Sequence, residues 1–382
     1  MRGEADSQLP LFHVFEIEDR IRPDHPLRDI KRRADRILRS LHDKFEASYS
    51  RTGRPSVPPE RLLKALLLMA LYSIRSERQL CEQIDVNLMY RWFLDMRPSE
   101  DAFDATTFNK NRQRLEDHGL TKAFFDAVVQ EALTKGLCSE HFSVDGALIE
   151  SLASAKSFQP KGSQDDKEPR DSNGFKPRNA EVDFHGQKRT NETHASRTDP
   201  EAKLYRKSPG QEAKLSHMGH VLSENRHGLI LTITATEANG TAERTATLEM
   251  LDDLKRVHDR VPTTLGADKG YDDGEFFITL EGRKIEPHIP LVKDPCDPQT
   301  ETHRDRLPGI RARHRMKKRM QKEGYQLSQR CRKKVEECFG WLKTVARLDR
   351  CRTAGRWKLQ QLLEWGAAAF NLVRMTKLAP AH

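Results

Sequence analysis

The sequence predicts an α/β protein in which a mixed sheet follows an all-helical N-terminal region. Apolar residues recur at helical spacing through about the first 137 residues. Beyond residue 140 they form short runs bounded by turn residues, which is typical of strands. The order is then strand, hairpin, helix, strand, helix, edge strand and helix, an alternation typical of a sheet covered by helices.

The N-terminal region contains several predicted helices. The first follows Pro26, which suits a first helical turn, and repeats apolar residues at Leu27, Ile30, Ala34, Ile37, Leu38, Leu41 and Phe45. A turn-rich break over 50–60 precedes a buried helix over 60–72, and Ser76 with Gln79 forms a capping box for the next helix. The last helix of this region is closed by Gly136.

The helix over 104–115 is a candidate DNA-reading element. Its outward face is predicted to carry Asn109, Lys110, Asn111, Arg112, Gln113 and Arg114. Side chains of these types contact base edges and phosphates, as in a helix-turn-helix reading helix. A solvated helix without DNA contacts is the alternative.

The second region begins with "HFSVDGALIE", a strand predicted to end near Asp145. A polar excursion over 156–212 follows, and then two strands joined by "ENRHG" form an antiparallel hairpin. A helix over 241–254 is predicted to begin at a Thr241 cap.

The strand "TTLGADKGY" is predicted to stop at Asp268, and Asp272 with Glu275 to cap the helix that follows. The strand over 285–292 contains two prolines, which indicates a sheet edge. A basic segment over 294–324, the helix "RKKVEECFGWLK" (332–343) and one more amphipathic helix complete the region.

The charge distribution indicates a polyanionic partner. The chain has a formal net charge of +9. Between Arg304 and Lys334 stand 13 Lys and Arg against Asp305 and Glu323, a net of +11, so the remaining chain is close to neutral at −2. Such a block gains affinity for nucleic-acid phosphates through counterion release. A solvated basic linker is the alternative.

Several classes of protein are disfavoured by the sequence. Its six cysteines form no CxxC pair, which argues against a zinc module or a disulfide framework. The longest apolar run, from Leu62, is about half the length needed to span a bilayer. The first ten residues lack the apolar stretch of a secretory signal, so we expect a cytoplasmic protein that associates with no membrane.

Three carboxylates are candidates for a metal site. Asp145 and Asp268 are each predicted at the carboxyl end of a strand, where α/β proteins collect ligands. Glu336 shares a helix face with Arg332 and Lys343. Oxygen ligands without a His/Cys set favour Mg²⁺ over Zn²⁺, and two such ions can activate a water or a 3′-hydroxyl. Turn or cap roles for the aspartates, and an Arg332–Glu336 salt bridge, are the alternatives.

The words "FSVDG", "ADKGYD" and "RKKVEECFGWLK", in this order, resemble the DDE transposases of bacterial insertion sequences, of the insertion-sequence-four and insertion-sequence-five type. The N-terminal stretch "YSRTGRPSVPPERLLKALLLMALYSIRSERQL" is similar to the front of the same enzymes. The resemblance implies a helical DNA-binding region over 1–137 and a catalytic domain over 138–378. That domain would hold a ribonuclease H-like mixed five-stranded sheet with helices, carrying the acids on its first strand, its fourth strand and a following helix.

The resemblance also implies roles for individual residues. Asp145, Asp268 and Glu336 would be both the catalytic acids and the ligands of two Mg²⁺ ions, with Mn²⁺ as a substitute. The family signature Tyr-x2-Arg-x3-Glu-x6-Lys is matched by Arg332, Glu336 and Lys343, whereas Gln329 stands at the tyrosine position, with Tyr325 one turn earlier. DNA contacts are expected from Arg332, Lys343, Arg311, Arg313, Arg315, Lys317, Lys318, Arg319, Lys110, Arg112 and Arg114.

The implied activity is nicking at the ends of a mobile element, followed by attack of the freed 3′-hydroxyl on target DNA. The expected partners are double-stranded DNA and a second copy of the chain on paired ends, without a nucleotide cofactor and with the nucleoid as the bound location. Trp341 is either a base-stacking residue or part of the core. A nuclease of the same fold that never joins strands, and a silent DNA-binding descendant, are the alternatives.

Overall fold

The computed structural model describes residues 16–50, 52, 56–161, 189–206, 212–299 and 303–378. The chain divides into two compact units, Met1–Leu120 with Met375–His382, and Thr121–Arg374. The division after Leu120 assigns most of the helix Leu120–Thr134 to the second unit, although the sequence predicts a functional boundary after residue 137.

The first unit is helical, as predicted. Its elements are α1 (Ile17–Arg20), α2 (Pro26–Ser40), α3 (His42–Ser48), α4 (Pro59–Leu71), α5 (Glu77–Val86), α6 (Leu88–Phe93) and α7 (Ala105–Asp117). Helix α4 is apolar on almost every side and lies at the centre of the unit. Its one buried cation, Lys64, is compensated by Asp35, 2.8 Å away, and by Asp95.

Helix α7 differs from its predicted outward face. Asn111 is buried, and its Nδ2 donates to the backbone carbonyl of Thr107 at 2.8 Å. Arg112 is mostly covered and lies 3.2 Å from Glu77. Six consecutive residues span more than a full turn, so a helix packed against its neighbours cannot expose them all. Asn109, Lys110, Gln113 and Arg114 are exposed.

The second unit contains the mixed sheet. Its strands are β1 (His141–Glu150), β2 (Phe158–Pro160), β3 (His194–Ser196), β4 (Lys203–Tyr205), β5 (Lys214–Glu224), β6 (Ile230–Glu237), β7 (Thr264–Gly266) and β8 (Glu286–His288). Its helices are α8 (Leu120–Thr134), α9 (Ala242–His258), α10 (Gly274–Gly282), α11 (Leu307–Arg319), α12 (Glu323–Cys331), α13 (Lys333–Thr344) and α14 (Arg356–Leu378).

The main sheet has a ribonuclease H-like strand order. Strand β5 pairs antiparallel with β1 on one side and with β6 on the other, while β1 pairs parallel with β7 and β7 parallel with β8. In order along the sheet these five strands are the third, second, first, fourth and fifth, which confirms the predicted fold class. Strand β4 adds a sixth strand beside β5.

Two local predictions were wrong. Strand β1 continues past Asp145 to Glu150 because β5 pairs with it along its whole length. Helix α10 is capped by Asp273, whose Oδ1 accepts from the Phe276 amide at 2.9 Å. Asp272 instead accepts two bonds from Arg313, at 2.9 and 2.7 Å. Helix α9 begins after Thr241 as predicted, although the Thr241 side chain makes no cap bond.

Other predictions are confirmed. Strand β8 contains Pro287 and lies at the sheet edge. The hairpin of β5 and β6 turns through Gly228, whose φ of +71° favours glycine. The part of the polar excursion at 162–188 and 207–211 lies outside the described residues.

The described part of the excursion is tied to the sheet by a buried carboxylate. Oδ2 of Asp199 accepts from the Ser151 hydroxyl at 2.6 Å and lies 2.8 Å from Nε2 of His217 on β5. Both Asp199 and His217 are fully buried. A buried charge of this kind is tolerated because several partners satisfy it.

Candidate active site

The register of two parallel strands brings the first two acids together. Ser143 of β1 pairs with Gly266 of β7, and β7 ends there. Asp145 stands two residues after Ser143, and Asp268 stands two residues after Gly266, so the two aspartates occupy equivalent positions in the register. Because neighbouring strands lie about 4.8 Å apart, this register places the two aspartates beside each other.

Asp145 lies mid-strand, half-buried, where its parallel neighbour has ended. Burial raises the pKa of its carboxyl to about 6, and a hydrogen bond of 2.9 Å from the Gly146 amide to Oδ1 opposes that rise. Asp268 and Glu336 raise this pKa further, whereas Arg332 lowers it. Glu336 and Arg332 therefore lie close enough to Asp145 to affect its charge.

Asp268 has a local structural role that its sequence position did not reveal. Its Oδ1 accepts from the Gly270 amide at 2.8 Å and so caps the short 3₁₀ turn Lys269–Tyr271. This bond fixes the carboxylate at the end of β7. Oδ2 of Asp268 and Oδ2 of Asp145 have no hydrogen-bond partner among the described residues, so each aspartate retains one oxygen for a ligand.

Glu336 lies in the first turn of α13, which contacts β1 and β5. Val335 and Cys338 are buried and hold the helix against the sheet. The Glu336 carboxylate lies 3.3 Å from Arg332, so the salt bridge considered from the sequence is present, and about half of the glutamate side chain is exposed. Neighbouring Glu337 pairs with Arg374 instead, also at 3.3 Å.

Gln329, which stands where the family signature has tyrosine, holds two elements together. Its Nε2 donates to the carbonyls of Ala267 and His288, which ties α12 to the ends of β7 and β8. Tyr325 is buried with its ring edge-to-face on His288 at 5.7 Å. Trp341 packs in the same manner on Phe370 at 5.6 Å.

Most of the basic residues of α11 are already paired with acids. Arg315 and Arg319 both reach Glu281, and Lys317 lies 2.9 Å from Asp294. Arg313 is committed to Asp272. Of the six cations named on this helix, Arg311 and Lys318 are exposed and have no ion pair with a described residue.

The donor set suits a hard divalent ion in chemical type. All three acids offer carboxylate oxygens, which Mg²⁺ and Mn²⁺ prefer. No three His, Cys, Asp or Glu side chains in the described ranges are close enough to hold a metal ion. The residues therefore fit the ion by their chemistry and by the unpaired oxygens of the two aspartates, and enclosing an ion requires the carboxylates to move closer together.

The sequence did not single out three further residues at this edge of the sheet. They are Glu243 at the start of α9, His220 on β5 opposite Gly146, and the fully buried Tyr271 after Asp268. Glu243 has the pattern of an ordinary first-turn acid, and the other two that of strand and turn residues. No sequence signal separates them from such roles, because only the packing of α9, the pairing of β1 with β5 and the position of the turn after β7 bring them near Asp145.

A ribonuclease H-like sheet with one acid within its first strand and another two residues beyond its fourth strand is typical of enzymes that act on phosphodiester bonds. The chain matches two family models, a transposase domain (DUF772) over residues 15–114 and a transposase DDE domain over residues 183–372, together about three quarters of its length. The chain belongs to the DDE transposases, which cleave and join DNA strands with divalent metal. The second match begins beyond Asp145, so it includes Asp268 and Glu336 alone of the three acids.

Solved structures resemble the chain only remotely. The piggyBac transposase synaptic complex with hairpin DNA is 9% identical with a TM-score of 0.37, and the match covers 93% of this chain and 76% of that one. The Mos1 transposase paired-end complex with the left transposon end is 12% identical with a TM-score of 0.21, covering 83% and 88%. The Mos1 mariner paired-end complex with Mn is 14% identical with a TM-score of 0.20, covering 82% and 86%. None of the curated proteins matches.

A membrane-spanning role finds no support in the described residues, where every helix is too short or too polar to cross a bilayer.

Proposed function

We propose that Asp145, Asp268 and Glu336 are the catalytic acids of this transposase and that together they hold two Mg²⁺ ions, with Mn²⁺ as a substitute. The β1/β7 register that places the two aspartates side by side carries this proposal. When bound, the ions would activate the attacking water or 3′-hydroxyl and stabilise the leaving oxygen. Oδ2 of each aspartate would bind them, and Arg332 would release Glu336 for the same purpose.

The element is of the insertion-sequence-four or insertion-sequence-five type, on the strength of the "RKKVEECFGWLK" signature. In this proposal the described exposed cations Arg311 and Lys318 contact DNA phosphates, together with Arg332 beside Glu336 and Lys343 in the last turn of α13. The other basic residues of α11 are paired with acids and would contribute less to DNA binding. In the N-terminal unit, Lys110 and Arg114 are exposed for DNA contact, and Arg114 also stacks on Tyr49 at 5.1 Å. Arg112 would reach DNA only by leaving Glu77.

The chain would act as a homodimer that pairs the two ends of one element, without a nucleotide cofactor. Residues 1–137 would recognise the ends and residues 138–378 perform the chemistry. Pairing of ends explains how one small enzyme coordinates two distant cuts.

The test is cleavage of plasmid DNA that carries the sequence flanking the coding region, in Mg²⁺ buffer. Asp145→Asn, Asp268→Asn and Glu336→Gln should each lower the cleavage rate by about 10³-fold or more, because several kcal/mol of charge stabilisation is lost. DNA retention in a gel-shift assay should stay unchanged. Glu337→Gln is the matched control and should cut normally, since Glu337 pairs with Arg374.

Normal cutting by Asp268→Asn would refute the assignment. Joined products from ends that already carry a free 3′-hydroxyl distinguish strand transfer from hydrolysis alone. A wild-type chain that binds these ends and never cuts them would mark a silent descendant.

A further inference from the structure

A fourth carboxylate, Glu243, lies at the edge of the sheet that carries Asp145 and Asp268. A Cβ placed on Gly146 would lie 2.9 Å from Oε1 of Glu243. A Cβ placed on Gly270 would lie 3.6 Å from Oε2 of Glu243 and 3.0 Å from Oδ1 of Asp268. The two Glu243 oxygens therefore face the two segments that carry the catalytic aspartates.

The glycines are what permit this approach. Gly146 and Gly270 each follow one of the aspartates by one or two residues, and a side chain at Gly146 would overlap the Glu243 carboxylate. Glycine allows close approach of another group to the backbone. The glycines of the motifs "VDG" and "DKG" thus leave room for a third acidic side chain beside the two aspartates.

Two buried polar groups lie at the same place. One is the Tyr271 hydroxyl, whose side chain is fully buried. Burial raises the pKa of Tyr271 well above its usual range, Glu243, Asp145 and Asp268 raise it further, and the Thr247 hydroxyl opposes the rise, so all three acids lie near this hydroxyl. The other is Nδ1 of His220, which has no hydrogen-bond partner among the described residues and lies 3.2 Å from the same Gly146 Cβ position.

His220 has one hydrogen bond among the described residues, between its Nε2 and the Thr236 hydroxyl at 2.7 Å. Its Nδ1 remains unpaired there and faces the Gly146 position that Glu243 also approaches. A buried polar nitrogen without a partner is unfavourable unless a ligand or a water molecule satisfies it.

We propose that Glu243 is a fourth carboxylate ligand of the divalent-cation site, and that Nδ1 of His220 accepts a hydrogen bond from a water molecule bound to that cation. This inference rests on the proposed role of the triad. It explains why α9 directs its first-turn acid at Gly146 and Gly270. It also supplies a charge that stays at the site when Glu336 is paired with Arg332.

The experiment measures metal binding to the full chain without DNA, so its readout does not depend on activity. Mn²⁺ is titrated by electron paramagnetic resonance against the wild type, Glu243→Gln, Asp145→Asn and Glu249→Gln. Glu249 lies exposed on the same helix and is the matched control. We expect Glu243→Gln to weaken Mn²⁺ binding by about 10-fold or more and Glu249→Gln to leave it unchanged. Thermal melting of each variant verifies that it is folded.

A thiol swap separates ligation from a purely electrostatic effect. Glu243→Cys should lose Mn²⁺ affinity and gain affinity for thiophilic Cd²⁺, relative to Glu249→Cys, which corrects for the six native cysteines. Equal Cd²⁺ affinity of the two cysteine variants would overturn the inference, and so would wild-type Mn²⁺ binding by Glu243→Gln.

Comparison with Asp145→Asn separates the two proposals. If Asp145→Asn loses Mn²⁺ and Glu243→Gln does not, the triad stands and the fourth ligand is wrong. If Asp145→Asn binds Mn²⁺ as the wild type does, the triad assignment fails, and the inference about Glu243 fails with it.

Discussion

At the scale of single residues, the charge of the half-buried Asp145 carboxylate destabilises the folded chain. The Gly146 amide, which donates to it, and the nearby Arg332 offset only part of this cost. The pKa of its carboxyl, about 6, lies above the ordinary value of 3.8. Residues placed for chemistry rather than for folding commonly show such shifts.

We expect Asp145→Asn to be more stable than the wild type at pH 8 in metal-free buffer, by about 1 to 3 kcal/mol. The folded pKa is raised, so the stabilising effect of the proton is complete below about pH 4 and is lost as the pH rises through 6. Chemical denaturation at pH 4 and pH 8 measures the difference, which should vanish at pH 4. An equal difference at both pH values would contradict the assigned shift.

At the scale of elements, the site depends on how closely α10 and α11 approach. Gly274 at the start of α10 lies against the backbone of Gly309, and a Cβ on Gly274 would come within 2.6 Å of the Gly309 Cα. This contact lets Arg313 of α11 reach Asp272, two residues before α10. A pair of glycines thus fixes the position of the basic helix relative to the end of β7.

Gly274→Ala should lower the free energy of unfolding by about 1 to 3 kcal/mol, because the opposing atoms are backbone and cannot rotate away. Gly309→Ala is the matched control. Its Cβ would lie 3.5 Å from the nearest atom, an ordinary contact, so it should be neutral or stabilise by up to about 1 kcal/mol through helix propensity. Urea denaturation of both variants checks the asymmetry, and equal losses would contradict the described packing.

At the scale of the whole molecule, net charge overstates the surface available to DNA. The basic block supplies most of the excess charge, yet Arg313, Arg315, Lys317 and Arg319 are held by acids elsewhere in the second unit. These pairs use cations for structure. Counterion release depends on the cations that remain for phosphates.

The double variant Arg311→Ala with Lys318→Ala should lower the salt slope of DNA binding by about 1 to 2, because each phosphate contact contributes about 0.9. Fluorescence anisotropy between low and high salt measures the slope. Arg315→Ala should change it less, since Arg315 is paired with Glu281. An unchanged slope in the double variant would move the DNA path to other cations, such as Lys110 and Arg114.

The sequence by itself determined the order of the elements, because hydrophobic period and turn residues are local signals. It identified the edge strand from Pro287, the hairpin from its Gly228 turn, and three candidate acids from the sequence motifs around them. It could not tell that Asp273 caps α10 while Asp272 binds Arg313, because the two residues differ only in a partner 41 positions away. Nor could it tell which cations of α11 are paired.

Only the tertiary structure decided which distant side chains meet. The pairing of β1 with β7 sets Asp145 beside Asp268, and the packing of α9 adds Glu243. Both depend on strand register and on helix position, and these are set by the burial of the whole core rather than by any local pattern. The chemistry of each residue is therefore readable in the sequence, whereas the composition of the site is a property of the fold.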